Sequence, residues 1–225
     1  MIVYILSGSN QTGKDTFVEM ISDVFKHASR FENDVFSKYD VIHLSTIDHI
    51  RKMFSSEILG ERLGKYMTNC LADKENDTRS LLATFKKVFD DYMSNRGNNP
   101  ASNTYVVDEI VRITRELRDD GRIPIFFVDC REDAKILDLR ESLTPLGYSV
   151  KIIKHKRDVE VATNESDKEA NESRLADMII DGRASPTITT IRFILDVIYP
   201  EISCRRKNAE NDDVDTFKLD ERINR

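Results

Sequence analysis

The stretch Met1-Ile2-Val3-Tyr4-Ile5-Leu6-Ser7-Gly8-Ser9-Asn10-Gln11-Thr12-Gly13-Lys14-Asp15-Thr16 decides the fold. Its first seven residues run apolar and β-branched without a break, which predicts a buried strand over 1–7. From Thr12 to Ala28 the spacing changes to helical, with Phe17, Val18, Ile21, Val24 and Phe25 on one stripe. Between the two lies Gly8-x-x-x-x-Gly13-Lys14. Glycines let successive backbone N–H groups turn inward around a phosphate without Cβ clashes. The N-terminus of the following helix adds positive potential, and Lys14 supplies a mobile charge for the β- and γ-phosphates. At ordinary glycine and lysine frequencies this spacing alone arises in roughly 6% of chains of this length. The context is therefore what makes it specific: it follows an apolar strand at once and opens an amphipathic helix. The expected cradle comprises Gly8, Asn10, Gln11, Thr12, Gly13, Lys14, Asp15 and Thr16. The alternative is an ordinary glycine-rich turn between strand and helix. Asp15 stands where a hydroxyl usually touches Mg²⁺, and Thr16 follows it. Either can meet the metal, Asp15 through water, and the sequence leaves the choice open.

Working outward, strand and helix alternate. Residues 41–44 form a second strand candidate, with Ser45 and Thr46 as caps for a helix through Ile50 and Phe54. Asp77 or Thr78 can cap a helix carrying Leu81, Leu82, Phe85, Val88, Phe89 and Tyr92. Residues 96–100, Arg-Gly-Asn-Asn-Pro, form a loop, and 103–119 is helical again. The run Ile123-Pro124-Ile125-Phe126-Phe127-Val128 reads as a central parallel strand covered on both faces. A helix over 134–146, a strand over 148–153 and a short strand over 177–180 follow. The polar stretch 155–172 reads as a flexible excursion. Pro186 opens a last helix to about residue 199, capped by Ser185. Residues 203–225 read as a charged tail or loose helix. This alternation predicts an α/β fold: a mostly parallel sheet with helices on both faces. Val106-Val107-Asp108-Glu109 has the look of a strand ending in a water-activating glutamate. Its apolar positions continue at helical spacing through Leu117, so it reads as helix.

The 225 residues carry a net charge of −6, which argues against a general nucleic-acid coat. No apolar run approaches the ~18 residues a membrane span needs. The beginning of the chain lacks a basic leader, so a strand is expected there and not a signal peptide. Cys70, Cys130 and Cys204 are few, odd in number and widely spaced. They suggest neither a disulfide framework nor a zinc site, and the default compartment is the reducing cytoplasm. His27, His43, His49 and His155 are scattered without metal spacing and read as structural or exposed.

Together with the glycine loop, three later segments carry a resemblance. They are Val128-Asp129-Cys130-Arg131, Ala176-Asp177-Met178-Ile179-Ile180-Asp181, and the charged stretch 74–78 before Arg79 and the paired leucines 81 and 82. In this order over about residues 1–200 the chain resembles the P-loop nucleoside monophosphate kinases. Within them it looks most like the phage-type deoxynucleoside monophosphate kinases and dephospho-coenzyme A kinase. The resemblance implies the three-layer sandwich of P-loop NTPases over 1–202, a transfer of phosphate from ATP with Mg²⁺, an acceptor-binding insertion over roughly 45–100 and a lid over roughly 155–175. It departs at Asp181-Gly182-Arg183, where an Asn is commonly expected, and base contacts there lose their support.

Phosphoryl transfer demands converging cations. Lys14 is one. Arg131 is the second candidate, because it lies just past the carboxyl end of a central strand, where such sheets bind ligands, and a guanidinium grips phosphate bidentately. A surface arginine opening a helix is the alternative. Asp129 can orient the waters of Mg²⁺ or Arg131 itself, or merely cap a helix. Arg79 and Arg51 are weaker acceptor-site candidates, each also readable as a solvated helix face. Lys154, Lys156, Arg157 and Arg174 are candidate phosphate clamps in the lid, with a solvated strand end as the alternative. The leading reading is thus a kinase using ATP and Mg²⁺, with small nucleotides as its partners, as a monomer or homodimer. A kinase of dephospho-coenzyme A or of a phosphomevalonate-like acceptor, and a nucleotide-binding regulator without turnover, are the alternatives.

Overall fold

The computed structural model describes residues 1–9, 12–28, 35–46, 84, 87, 88, 91, 101–156, 165–182 and 184–204. Five strands form one sheet: β1 (Ile2–Ser7), β2 (Tyr39–Ser45), β3 (Ile123–Asp129), β4 (Ser149–Lys156) and β5 (Met178–Asp181). All are parallel, in the order β2-β3-β1-β4-β5. The helices are α1 (Lys14–Ala28), α2 (Ala101–Asp119), α3 (Asp133–Leu143), α4 (Glu165–Glu172) and α5 (Pro186–Phe193). A π-turn, Ile194–Ile198, continues α5, and the chain stays helical to residue 204.

β1 is buried along its whole length because helices cover both of its faces. Ile2, Tyr4 and Leu6 pack with Phe17, Ile21 and Phe25 of α1 and Phe193, Ile194 and Ile198 of the last helix. Val3 and Ile5 pack on the other side with Val106 and Ile110 of α2 and Ile136, Leu139 and Leu143 of α3. Burying such side chains contributes about 1.5–3 kcal/mol each relative to exposure. Several polar atoms within this core are answered: Tyr4 donates to Glu201 at 3.1 Å, Ser149 and Lys151 donate to the same carboxylate at 2.9 Å, and Tyr148 donates to Thr114 at 2.9 Å.

Parallel strands bring all their carboxyl ends to one edge. β1 lies between β3 and β4, so the chain passes from one side of it to the other after β3. Such a switch point opens a crevice at the carboxyl end of the strand, where ligands of open α/β sheets bind.

Several expectations change. Ser45 ends β2, and the N–H of Thr46 continues the ladder to Asp129 O at 3.2 Å; the helix expected to follow them lies outside the described residues. Ser185 occupies the cap position of α5 without a side-chain cap bond. Val88, counted on an apolar stripe, is exposed. The stretch 155–172 is not one flexible excursion: His155 and Lys156 finish β4, and 165–172 is α4. Its polar composition hid a docked helix. Ala170 is fully buried, and Glu169 accepts the backbone N–H of Asp133 at 2.8 Å, capping α3. Lys154, a candidate phosphate clamp, has a buried ammonium that donates to Asn171 O at 2.9 Å and Ser173 O at 2.6 Å at the end of α4. A cation on terminal helix carbonyls is a stabilising arrangement. Residues 203 and 204, the start of the expected tail or loose helix, are helical, and 205–225 lie outside the described residues. Among the described residues no helix is long and apolar enough to cross a membrane.

Candidate active site

The loop after β1 is shaped by two glycines at positive φ, Gly8 at 134° and Gly13 at 85°. Gly8 also sits hard against β4: a Cβ there would lie 2.5 Å from the carbonyl oxygen of His155. Gly13 O accepts the N–H of Phe17 at 2.9 Å, which starts α1. The N–H groups of a first helical turn have no acceptor within their own helix, so they face whatever the loop encloses. Thr12 closes the loop on itself by donating to Ser9 O at 3.0 Å.

Lys14 is almost fully buried. Its ammonium donates to Gly8 O at 2.6 Å and Ser9 O at 2.8 Å and lies 3.2 Å from Thr12 Oγ1. Neutral oxygens thus hold the cation in the loop, and an anion can replace them with stronger, charge-assisted bonds.

Strand parity builds the next shell. Tyr39 and Val41 on β2, Ile125 and Phe127 on β3, and Ile153 on β4 face α1. Side chains alternate along a strand, so His43, Asp129 and His155 come out on that same face. The parallel register of β2 with β3, which pairs Ser45 with Asp129, brings His43 Nε2 to 3.2 Å from Asp129 Oδ2. Asp15, on the first turn of α1, completes a group with them: one ligand atom from each of Asp15, His43 and Asp129 lies within 4.8 Å of the others. Asp129 Oδ1 is buried and has no hydrogen-bond partner.

His155 is buried against Phe17, ring centroids 4.9 Å apart, with an unpartnered Nε2. Burial, reinforced by the charge of Lys14, pulls its pKa down to about 4, and Asp129 only partly opposes this. The imidazole is neutral at pH 7.

Most of the expected site residues that are described meet at this edge. Gly8, Gly13, Lys14 and Thr12 form the loop, and Asp15 and the exposed Thr16 share the first turn of α1. The carboxylate of Asp15 lies near Asp129. Asp129 caps no helix, because Glu132 takes the cap position of α3. Arg131, partly buried, lies on the connection from β3 to α3 at the same end of the sheet. Asn10, Gln11, Arg51, Arg79 and Arg157 lie outside the described residues. Asp177, in the closing motif, is committed to the scaffold: it accepts from Arg140 and from the N–H of Ile152. Sequence spacing missed His43 and His155. The usable signal was their parity, two residues beyond Val41 and Ile153 on core-facing positions.

No protein-family model and no curated protein matches the chain. Among solved structures, a sugar kinase from Janibacter sp. HTCC2649 is similar at 13% identity and a TM-score of 0.37, over 90% of this chain and 98% of that one. At that identity and TM-score the likeness says nothing of what this chain binds. A functional assignment therefore has to stand on the geometry of the loop and its neighbours.

Proposed function

We propose that the chain is an ATP-dependent phosphotransferase that moves the γ-phosphate to a nucleoside or deoxynucleoside monophosphate. The observation that carries this reading is the loop of residues 8–14: two glycines at positive φ enclose a buried lysine ammonium at the start of a helix, at the switch point of a parallel sheet. On arrival of a polyphosphate, Lys14 exchanges its neutral acceptors for phosphate oxygens. Arg131, at the same edge, serves a second phosphate, either the acceptor's or the one in transit. Positioning and charge neutralisation of this kind are what phosphoryl transfer requires. A divalent cation bound with the nucleotide supplies further neutralisation, and the donor set fits one, since Asp15 and Asp129 converge and Asp129 Oδ1 lacks a partner. Neutral His155 adds no competing proton or charge beside Lys14.

The monophosphate acceptor rests on the resemblance carried by Asp129-Cys130-Arg131 and the closing Ala176–Asp181 motif. On the same ground residues 45–100 are assigned to the acceptor and 155–175 to a lid that keeps water from competing with it. The protein so read is cytoplasmic, works on small nucleotides and not on nucleic acid or membrane, and is a monomer or homodimer.

The test is a coupled ADP-release assay with ATP, Mg²⁺ or Mn²⁺, and each common ribo- and deoxyribonucleoside monophosphate, with Lys14→Ala as control. Turnover with one or a few acceptors that Lys14→Ala abolishes is the expected result. Undiminished turnover in Lys14→Ala would remove the loop from the chemistry. ATP binding without turnover on any of them would point to a dephospho-coenzyme A-like acceptor or to a regulator.

A further inference from the structure

The group formed by Asp15, His43 and Asp129 contains an imidazole, and a magnesium site has no use for one. We propose that these three side chains form a site for a first-row transition-metal dication of the Mn²⁺ class, with His43 Nε2 as a direct ligand, selecting such an ion over Mg²⁺. This deepens the reading above, because the site adjoins the phosphate loop, but it holds or fails without nucleotide.

Ligands bound at about 2.1 Å stand about 3–4.2 Å apart around one ion. His43 Nε2 and Asp129 Oδ2 are 3.2 Å apart, a bite of roughly 100° at that bond length. The three donor atoms fall within 4.8 Å of one another, roughly half an ångström above the widest spacing of ligands around one ion. They come from three elements: the first turn of α1, the middle of β2 and the end of β3. Asp15 is exposed, which leaves the remaining coordination positions open on the loop side for water or phosphate oxygens.

Two further observations point to a ligand. Asp129 Oδ1 is buried with no partner, although a buried polar atom of this kind is ordinarily satisfied. On the same face of the sheet, His155, 3% exposed, carries a second unpartnered nitrogen and is in electrostatic reach of Asp129 and Lys14. A dication answers the carboxylates without demanding a proton from either histidine.

The donor chemistry then selects the ion. Magnesium takes oxygen ligands in a strict octahedron and keeps its waters, whereas imidazole suits the later divalent ions. Two carboxylates and one imidazole with open positions match Mn²⁺, Fe²⁺, Co²⁺ or Zn²⁺.

The experiment uses full-length protein without nucleotide and Mn²⁺ as the probe. Electron paramagnetic resonance should count one Mn²⁺ per chain, and pulsed measurements should show nitrogen coupling that changes with ¹⁵N-histidine labelling. A tenfold excess of Mg²⁺ should leave most of the Mn²⁺ in place. His43→Asn should remove the coupling and weaken Mn²⁺ binding at least about tenfold. Bound Mn²⁺ without nitrogen coupling in the wild-type protein would overturn the proposal, as would no bound Mn²⁺ or ready displacement by equimolar Mg²⁺. The wild-type spectrum can overturn the proposal even if the variant fails to fold, because absent nitrogen coupling excludes His43 as a ligand. Nitrogen-coupled Mn²⁺ in a protein without turnover would leave the metal site standing and remove the phosphotransferase; Mg²⁺-supported turnover without coupling would do the reverse.

Discussion

Replacing Gly8 by Ala should be far more damaging than the same change at Gly13 or Gly121, although all three have positive φ. At Gly13 and Gly121, with φ of 85° and 71°, an added Cβ meets nothing within 4 Å. The cost there is the left-handed backbone alone, about 1–2 kcal/mol. At Gly8 φ is 134°, and the new Cβ would stand 2.5 Å from His155 O and 3.3 Å from both His155 Cβ and Thr12 Oγ1. That backbone region is essentially restricted to glycine and costs about 1–3 kcal/mol by itself. The carbonyl belongs to β4, where residue 155 lies beyond the last pair with β1 but is paired with Ile180 of β5, so turning it away disturbs that ladder. Gly8→Ala should therefore lose on the order of 3–5 kcal/mol, within the roughly 5–15 kcal/mol of a folded domain. At about 2–4 °C per kcal/mol for a chain of this size, the melting temperature should fall by roughly 10–15 °C, against roughly 3–6 °C for the other two. Thermal and urea unfolding followed by circular dichroism measure all three. Equal losses for Gly8→Ala and Gly121→Ala would refute the close approach of loop and β4. Gly13→Ala and Gly121→Ala should unfold alike, yet only the former should impair ATP binding.

Two other perturbations bear on the site. His155 has a folded-state pKa of about 4, below its ordinary value near 6.5, so the native state takes up fewer protons than the unfolded chain in that window. Stability should thus fall as pH drops from about 6.5 towards about 4, by about 2 kcal/mol between pH 7 and 5. His155→Gln should remove that part of the slope, and parallel urea midpoints for both proteins at the two pH values would contradict the burial of a neutral imidazole. Arg131→Ala should raise the acceptor KM or lower kcat by at least tenfold through loss of charge-assisted bonds, and an unchanged dependence on acceptor concentration would place Arg131 outside the site.

What was legible in the sequence was local. Residues 1–28 encode a strand, a turn and a helix through β-branched content, two glycines and a 3.6-residue stripe, and each of these acts over a few residues. The same holds for β3, whose unbroken apolar run follows from cover on both faces, and for α2, where helical spacing through Leu117 outweighed the strand-like Val106-Val107. Where composition spoke against packing, the reading failed. The helix at 165–172 looks polar and mobile, but one alanine, a capping glutamate and the ammonium of Lys154 dock it. The boundaries of β2 and β4 ran two or three residues further than apolar content indicated, because backbone pairing with a neighbour, and not side-chain hydrophobicity, ends a strand.

The glycine loop after β1 with its lysine was thus determined by the sequence alone, since the φ freedom of glycine and the start of a helix are properties of the residues themselves. The joining of His43, Asp129 and Asp15 was decided only by the tertiary structure. Eighty-six residues separate His43 from Asp129, and nothing in their spacing relates them. They meet because β3 inserts between β1 and β2, because the register pairs Ser45 with Asp129, and because alternation turns both side chains towards the first turn of α1. Pairing order and register are set by the burial of whole sheet faces, a sum over the entire core that no short stretch of the chain contains.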